Sequence, residues 1–292
     1  MAAVTQKSGG DRVLRVINVA LLSLLGLVCL LPFVHMVAKS LSGRAAVSAG
    51  RVAFWPIDWT LSTYRYVLQD DLFWRTFQNS AFITIVGTLL ALTITTMAAY
   101  PLSKPGFKGR KVILLLYVFS MLFYGGMISV YILMRALNLL NTLWCQIIPL
   151  VLSQYNLFIM KTFFEGLPEA IEESARIDGA GPARTLVSIV LPLSLPSLAT
   201  IALFYAVAYW NGYYHAMIFV TRADAKPLQL YLYEMITTTQ NLYELDPAQA
   251  AGLSSSGIQA AAIVVSSIPI LIVYPFLQKY FVHGLTIGSV KG

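Results

Sequence analysis

Residues 16–37 read VINVALLSLLGLVCLLPFVHMV, and the fold turns on how that run is taken. Lys7, Arg12 and Arg15 stand just before it, which is the charge pattern of a secretory signal. A signal core is about 7–15 apolar residues with a small-residue cleavage site after it. This run is longer, and no A-x-A-like site follows. It is expected to remain as a first membrane helix. A spanning helix needs about 20 apolar residues. Working outward, six segments meet that length, at about 14–37, 79–101, 112–134, 143–163, 196–220 and 258–281. Pro32, Pro149, Pro269 and Pro275 fall in or near them. Proline is tolerated there when neighbours satisfy the freed carbonyl. The expected fold is all-α, a polytopic membrane protein forming one transmembrane domain over residues 1–292.

Composition agrees. The chain is 58% hydrophobic and only 11% charged, with mean hydropathy +0.71. A soluble domain carries about 25% charged residues, so this chain cannot dress a globular surface in water. Its net charge is +7. In a membrane protein such an excess sets topology, and nucleic acid is not expected as a partner. The connection 103–111 holds Lys104, Lys108, Arg110 and Lys111 and no acid, whereas 135–141 holds only Arg135. With the basic N-terminus, this places both termini on the cytoplasmic side. The long loops 38–78 and 221–257 then face outward, and 164–195 faces inward. Both outer loops mix Trp, Tyr or Pro with charges and are expected to be folded.

Several chemistries are excluded. No Asp, Glu, Lys or Arg lies well inside a segment, which argues against proton or ion coupling by the chain itself. No G-x-x-x-x-G-K-[ST] loop is present, so ATP is not bound through a P-loop. With three histidines and no G-x-S-x-G elbow, no hydrolase constellation is discernible. Cys29 and Cys145 form no CxxC pair and read as small apolar side chains. His35 and His215 read as structural. No catalytic or metal site is expected.

The inward segment carries the most information. Residues 168–192 read PEAIEESARIDGAGPARTLVSIVLP. Pro168 suits a first helical position, and Glu169 and Glu172 suit the positive end of the helix dipole. Glu172 and Arg176 are spaced as an i,i+4 pair. Ala170, Ile171, Ser174 and Ala175 make a stripe of mostly small, apolar residues. Gly179 and Gly181 break the helix, and Pro182 opens the next. Small side chains let another protein approach closely. The alternative is a helix lying on the lipid surface, but the polar face is acidic and the apolar face lacks Trp, Phe or Leu.

Glu173-Ser174-Ala175, three residues, Gly179, nine residues, then Ile189-Val190-Leu191-Pro192 resembles the EAA loop of ABC importer permeases, with Ser174 in place of an alanine. The likeness extends along nearly the whole chain to the carbohydrate-uptake branch, the maltose-type second permeases. It is carried by Phe77-Gln78-Asn79-Ser80, Ala99-Tyr100-Pro101-Leu102-Ser103, Gly125-Gly126-Met127-Ile128, Asn141-Thr142-Leu143-Trp144, Tyr209-Trp210-Asn211 and the tail GLTIGSVKG at 284–292. Within the branch the chain resembles the second permease of bacterial alginate importers.

The resemblance implies a transmembrane subunit paired with a second homologous permease. Two ATP-binding cassette subunits would hydrolyse ATP with magnesium, and a periplasmic solute-binding protein would deliver a saccharide. It implies ATPase coupling by Glu173, Ser174, Ala175, Asp178, Gly179, Ile189, Leu191 and Pro192, and by Lys291 in the tail, for which a frayed basic terminus is the alternative. It also implies contact of the outer segment 237–252 with the binding protein; a folded extracellular cap is the alternative. No cofactor is implied in this chain. For the substrate path, amides inside membrane segments prefer a wet cavity. Asn156 and Asn211 lead, followed by Trp210 and Tyr214, although aromatic residues near membrane ends also serve as interface anchors. Lys39, Arg44 and Arg51 are candidates for assisting a polyanion; contacts to the binding protein or to Asp70 and Asp71 are the alternative. A secondary transporter, a membrane-embedded glycan-processing enzyme and a non-transporting assembly subunit are the rival functions.

Overall fold

The computed structural model describes the backbone of residues 9–237 and 254–288 and the side chains of 13–237, 254–273 and 275. Every regular element among these residues is helical. In chain order they are α1 (Gly9–Ser40), α2 (Arg44–Ser48), α3 (Ser62–Gln69), α4 (Asp71–Ser103), α5 (Arg110–Leu122), α6 (Gly126–Ala136), α7 (Trp144–Leu150), α8 (Gln154–Glu165), α9 (Glu169–Ile177), α10 (Pro182–Leu193), α11 (Leu195–Trp210), α12 (Tyr214–Phe219), a 3-10 turn (Ala223–Ala225), α13 (Leu228–Thr237) and α14 (Ser255–Gly288).

Contacts divide the chain into two compact units, residues 1–70 with 235–266, and 71–234 with 267–292. In the first unit, α1 is apolar all round and its most apolar stretch buries nothing within the chain, as expected of a helix that meets lipid or another subunit. The segment after it is folded. Ser42 Oγ donates to the Ala38 carbonyl at 2.6 Å and accepts from the Ile57 amide at 3.0 Å. Ala38, Ala46, Val47, Val52 and Ile57 pack beneath these bonds.

The second unit is organised by α4. At 33 residues it is about 50 Å long, well beyond the ~30 Å hydrocarbon core. Its buried face includes Ile83, Gly87, Ala91, Thr95 and Ala99, one position every four residues. Small residues at that spacing let helices approach without a hydrophobic drive, which lipid cannot supply. Against this face pack Leu157, Met160 and Phe164 of α8, and Ile201, Tyr205 and Tyr209 of α11.

Among the described residues, three helices are long and apolar enough to cross a membrane as continuous rods, and three further candidate spans are broken. The expected segment 112–134 divides at Phe123–Gly125, where α5 and α6 meet at 111° and Gly126 has φ +80°. Segment 143–163 divides between α7 and α8 with a 49° bend. The expected segment 196–220 ends at Trp210. Upstream of it α10, part of the expected loop 164–195, joins α11 at 84° beside Pro192 and Pro196. Within α10, residues Leu186–Val190 widen into a π turn.

The breaks free backbone groups, and α11 satisfies two of them. Tyr209 Oη donates to the Ile147 carbonyl at 3.0 Å, and Tyr205 Oη accepts from the Ser153 amide at 3.0 Å. Tyr205 Oη also lies 2.6 Å from Thr95 Oγ1 on α4. A Cβ at Gly87 would sit 2.7 Å from Tyr209 Cζ, so only glycine fits beneath this ring. Replacing Gly87 by alanine is expected to cost about 1–3 kcal/mol through overpacking. A lower thermal midpoint in detergent should report it. Gly106→Ala, which meets open space, should leave the midpoint unchanged.

Candidate functional site

The acidic helix α9 is where the site can be built from single residues. Pro168 is extended, with ψ 125°, so it caps the helix and Glu169 becomes the first helical residue; this corrects the expected placement of Pro168 by one position. Glu169 and Glu172 occupy the first turn and Arg176 the last, each complementing the dipole. Gly179 takes φ +78°. The Ala180 amide then reaches the Ala175 carbonyl at 2.9 Å and the Gly179 amide reaches Arg176 at 3.0 Å. This double bond pattern closes the helix end and needs a left-handed residue at Gly179.

The helix presents two faces. Glu172 and Ala175 are buried, with Ile171 beside them. Ala170, Glu173, Ser174 and Ile177 point outward, Ile177 being 82% exposed. The expected stripe of Ala170, Ile171, Ser174 and Ala175 is thus split between the two faces. Ile177 had no part in the expected stripe; its position seven residues after Ala170 puts it on the outward face.

Glu172 pairs with Lys104, not with Arg176 as its spacing suggested. The reason is burial: Glu172 turns toward the end of α4, whereas Arg176 stays exposed. Lys104 also lies 4.8 Å over the Tyr100 ring, and that ring meets Phe164 edge-on. Nearby, Glu165 accepts from both Arg110 and Lys161. Arg110 Nε further donates to the Leu102 carbonyl at 2.8 Å. Two of the four basic residues in the 103–111 connection therefore fasten α4, α8 and α9 together. A cleft of about 740 Å³ opens here, lined by Lys104, Glu165, Glu169, Glu172, Glu173 and Arg176. Glu173 makes no ion pair among the described residues.

The other motif residues lie apart from this face. Asp178 ends α9 and is exposed. Ile189, Leu191 and Pro192 sit on α10 near its bend, where the intervening Val190 enters the core. Lys291 and most of the 237–252 segment lie outside the described residues.

The substrate-path candidates are not brought together either. Asn156 is 5% exposed and lines a cavity of about 480 Å³ at the α7–α8 break, with Ser153, Tyr155, Phe204, Tyr205 and Tyr209. Trp210 lines a separate apolar groove of about 310 Å³ with Phe77, Thr84 and Val207. Its Nε1 has no partner among the described residues. Asn211 and Tyr214 are exposed where α11 ends. Among the described residues no His, Cys, Asp and Glu cluster is suited to a metal ion.

A polar latch was missed altogether. Asn141, with φ +61°, accepts from the Thr221 amide, the Thr221 hydroxyl and the Arg222 amide at 2.7, 3.0 and 3.1 Å. Asn79 donates to the Asp224 and Lys226 carbonyls, and Ser80 accepts from the Leu228 amide. The segment 221–228 is thereby pinned to α4 and to the turn after α6. Within it, hydrogen bonds from Arg222 hold the Asp224 carboxyl below its ordinary range.

Comparison with known proteins supplies the family. Residues 1–287 match the model of a family described as binding-protein-dependent transport system inner membrane components. Protein LplC of Bacillus subtilis is 43% identical over 96% of each chain. The polygalacturonan/rhamnogalacturonan transport system permease protein YtcP of the same organism is 38% identical over 93% of this chain and 96% of its own. Among solved structures, a chain of a bacterial ABC transporter involved in the import of the acidic polysaccharide alginate matches with a TM-score of 0.88. It is 37% identical, with 94% of this chain and 98% of that chain covered.

Removing the Lys104–Glu172 pair should loosen α9 without unfolding the membrane helices. Glu172→Lys is expected to lower the hydrogen-exchange protection of residues 169–177 by at least tenfold, since a charged hydrogen bond contributes about 1.5–3 kcal/mol. The exchange Lys104→Glu with Glu172→Lys should restore most of it. Unchanged protection in the single variant would show that the pair does not anchor the helix.

Proposed function

Because the chain belongs to the family of binding-protein-dependent transport system inner membrane components, we propose that it forms half of the translocation path for a carboxylate-bearing oligo- or polysaccharide. Alginate is the named candidate. The outward face of α9, held in place by the buried Glu172, is the observation that carries this reading. The acidic polymers moved by the systems of the alginate importer and YtcP support the substrate class.

In this reading the whole chain works as one permease domain with both termini in the cytoplasm. It pairs with a second, homologous permease. Two ATP-binding cassette subunits bind and hydrolyse ATP with magnesium, and a periplasmic solute-binding protein delivers the saccharide. Ala170, Glu173, Ser174 and Ile177 enter a groove of one ATPase subunit. Ala175 and the Gly179 turn hold that face in shape, Asp178 borders it, and Lys291 of the tail contacts the same subunits. Ile189, Leu191 and Pro192 set the angle at which α10 returns to the membrane.

Closure of the ATPases displaces α9. The displacement passes through Glu172 and Lys104 to α4, and through α4 to α8 and α11, which pack on its small-residue face. Alternating access follows as a rigid-body change, with the broken spans as its bending points. Asn156, Asn211, Trp210 and Tyr214 belong to the path that opens and closes.

The test uses the chain purified with its partners in lipid nanodiscs and supplied with binding protein. Alginate oligosaccharides should stimulate ATP hydrolysis, and neutral glucans should not. Glu173→Lys should cut the stimulated rate about tenfold, and Ile177→Asp should act in the same direction. ATPase activity indifferent to every saccharide would remove the substrate class. Wild-type rates in both variants would remove the assignment of this face.

A further inference from the structure

We propose that the segment 53–59, folded back along the end of α1, is a lipid anchor. Phe54, Trp55 and Trp59 seat in the headgroup layer of the bilayer and fix the depth of α1, whatever solute the chain serves.

The fold-back sets the depth. The apolar run 16–37 of α1 spans about 33 Å, against a hydrocarbon core of about 30 Å. His35 therefore stands where hydrocarbon gives way to headgroups, and α1 continues to Ser40. His35 Nδ1 donates to the Ala53 carbonyl at 2.7 Å. The Ile57 amide donates to Ser42 Oγ at 3.0 Å, and the Ile57 carbonyl accepts from the Gly43 amide at 2.9 Å. The Thr60 amide donates to the Leu41 carbonyl at 2.9 Å. The returning chain thus reaches the level of His35, about 7 Å inside the helix end, and climbs out again by Thr60.

This path is built into the sequence. A Cβ at Gly43 would lie 2.9 Å from Asp58 Cβ, so only glycine lets the segment lie so close, and Asp58 takes φ +52°. Val52 and Ile57 pack inward against Ala38, Ala46 and Val47. Irregular backbone beside lipid must have its polar groups satisfied. The bonds at Ala53, Ile57 and Thr60 do this, and Pro56 brings no amide that needs a partner.

With the aliphatic side chains inside, the large rings face out. Trp55 is 83% exposed, Trp59 65% and Phe54 47%. Leu31 and Val34, on the adjoining stretch of α1, are exposed as well. An apolar surface of this kind marks a site of contact. Indole rings, apolar with one N–H, suit a level that is dry on one side and wet on the other. Phe54 and Trp55 follow the deepest bond directly. Asp58, Thr60 and Ser62 stand at the helix end, with Thr60 Oγ1 donating to Ser62 Oγ at 2.9 Å. Rings toward the apolar run and polar groups toward its end is the order a bilayer surface imposes. A protein partner would impose no such order along the axis of α1.

The test places a nitroxide at Phe54→Cys or at Ser62→Cys, leaving both tryptophans in place. The chain carries Cys29→Ser, Cys145 being buried, and is assembled with cysteine-free partners in lipid nanodiscs. Collision rates are read with oxygen, which concentrates in the bilayer, and with a nickel chelate, which stays in water. The oxygen-to-nickel ratio at position 54 is expected to be about fivefold or more above that at 62, as for an apolar face sunk into the boundary layer. Adding Trp55→Ser and Trp59→Ser should lower the ratio at 54 at least twofold, and Trp55→Ser alone serves where the double variant fails to assemble. Low collision rates with both reagents at 54 would show that another protein covers the rings and would overturn the anchor. Equal ratios at the two positions, or a ratio at 54 that survives loss of the tryptophans, would overturn it too.

Discussion

A helix broken inside a bilayer leaves backbone amides and carbonyls that water cannot reach, and this chain breaks three of its candidate spans. At the α7–α8 break, Tyr205 and Tyr209 take up the freed groups at Ser153 and Ile147. Both tyrosines come from α11, and both lie against α4, one on Thr95 and the other on Gly87. The same two side chains therefore close a backbone gap and set how near α11 comes to α4. They also form the walls of the cavity into which Asn156 faces. Packing, backbone satisfaction and the shape of the candidate path are one constraint here.

The polar economy of the chain follows from its surroundings. Charges are few, and most of those in the second unit's ion pairs are used at connections between helices. Lys104, Arg110, Glu165 and Glu172 join the ends of α4, α8 and α9, and Lys161 pairs with Glu165 within α8. The 221–228 segment is held instead by amide and hydroxyl groups, chiefly from Asn79, Ser80 and Asn141. A non-catalytic membrane subunit of a binding-protein-dependent system has no reaction to promote. What its polar residues can do is hold helices at set angles and pass motion between them.

Much of this was legible in sequence, for identifiable reasons. Long apolar runs mark α1, α4 and α14, because burial in lipid demands length before anything else. Gly179 was legible as a break, since a left-handed helix end selects glycine. The divisions of the third and fourth spans were not, because averaged hydropathy is insensitive to a bend that keeps the run apolar. The Glu172–Lys104 pair was missed because the partner lies 68 residues away in sequence, while Arg176 stood at a familiar spacing. The roles of Asn79 and Asn141 were hidden likewise: their partners are more than 75 residues distant, and a short motif does not say what it touches. Among the path residues, Trp210 and Asn211 are neighbours in sequence, yet one lines a groove and the other is exposed, because successive helical positions face different ways.

That last geometric fact also explains how α9 can serve two masters. Glu172 and Glu173 are adjacent, so their side chains diverge by about 100° around the axis. One enters the ion pair with Lys104 and the other stays outside. A helix of nine residues is too short to be stable by itself in water. Its order has to come from the inward face and from its two ends, the acidic first turn and the Gly179 closure. The outward face carries none of that load and is free to be shaped for contact. Any force applied to Glu173 and Ile177 must then leave the helix through Glu172, Ala175 and the chain on either side. A short, externally stabilised helix suits the coupling role proposed above better than a long independent one. It cannot move or refold without the membrane helices registering the change.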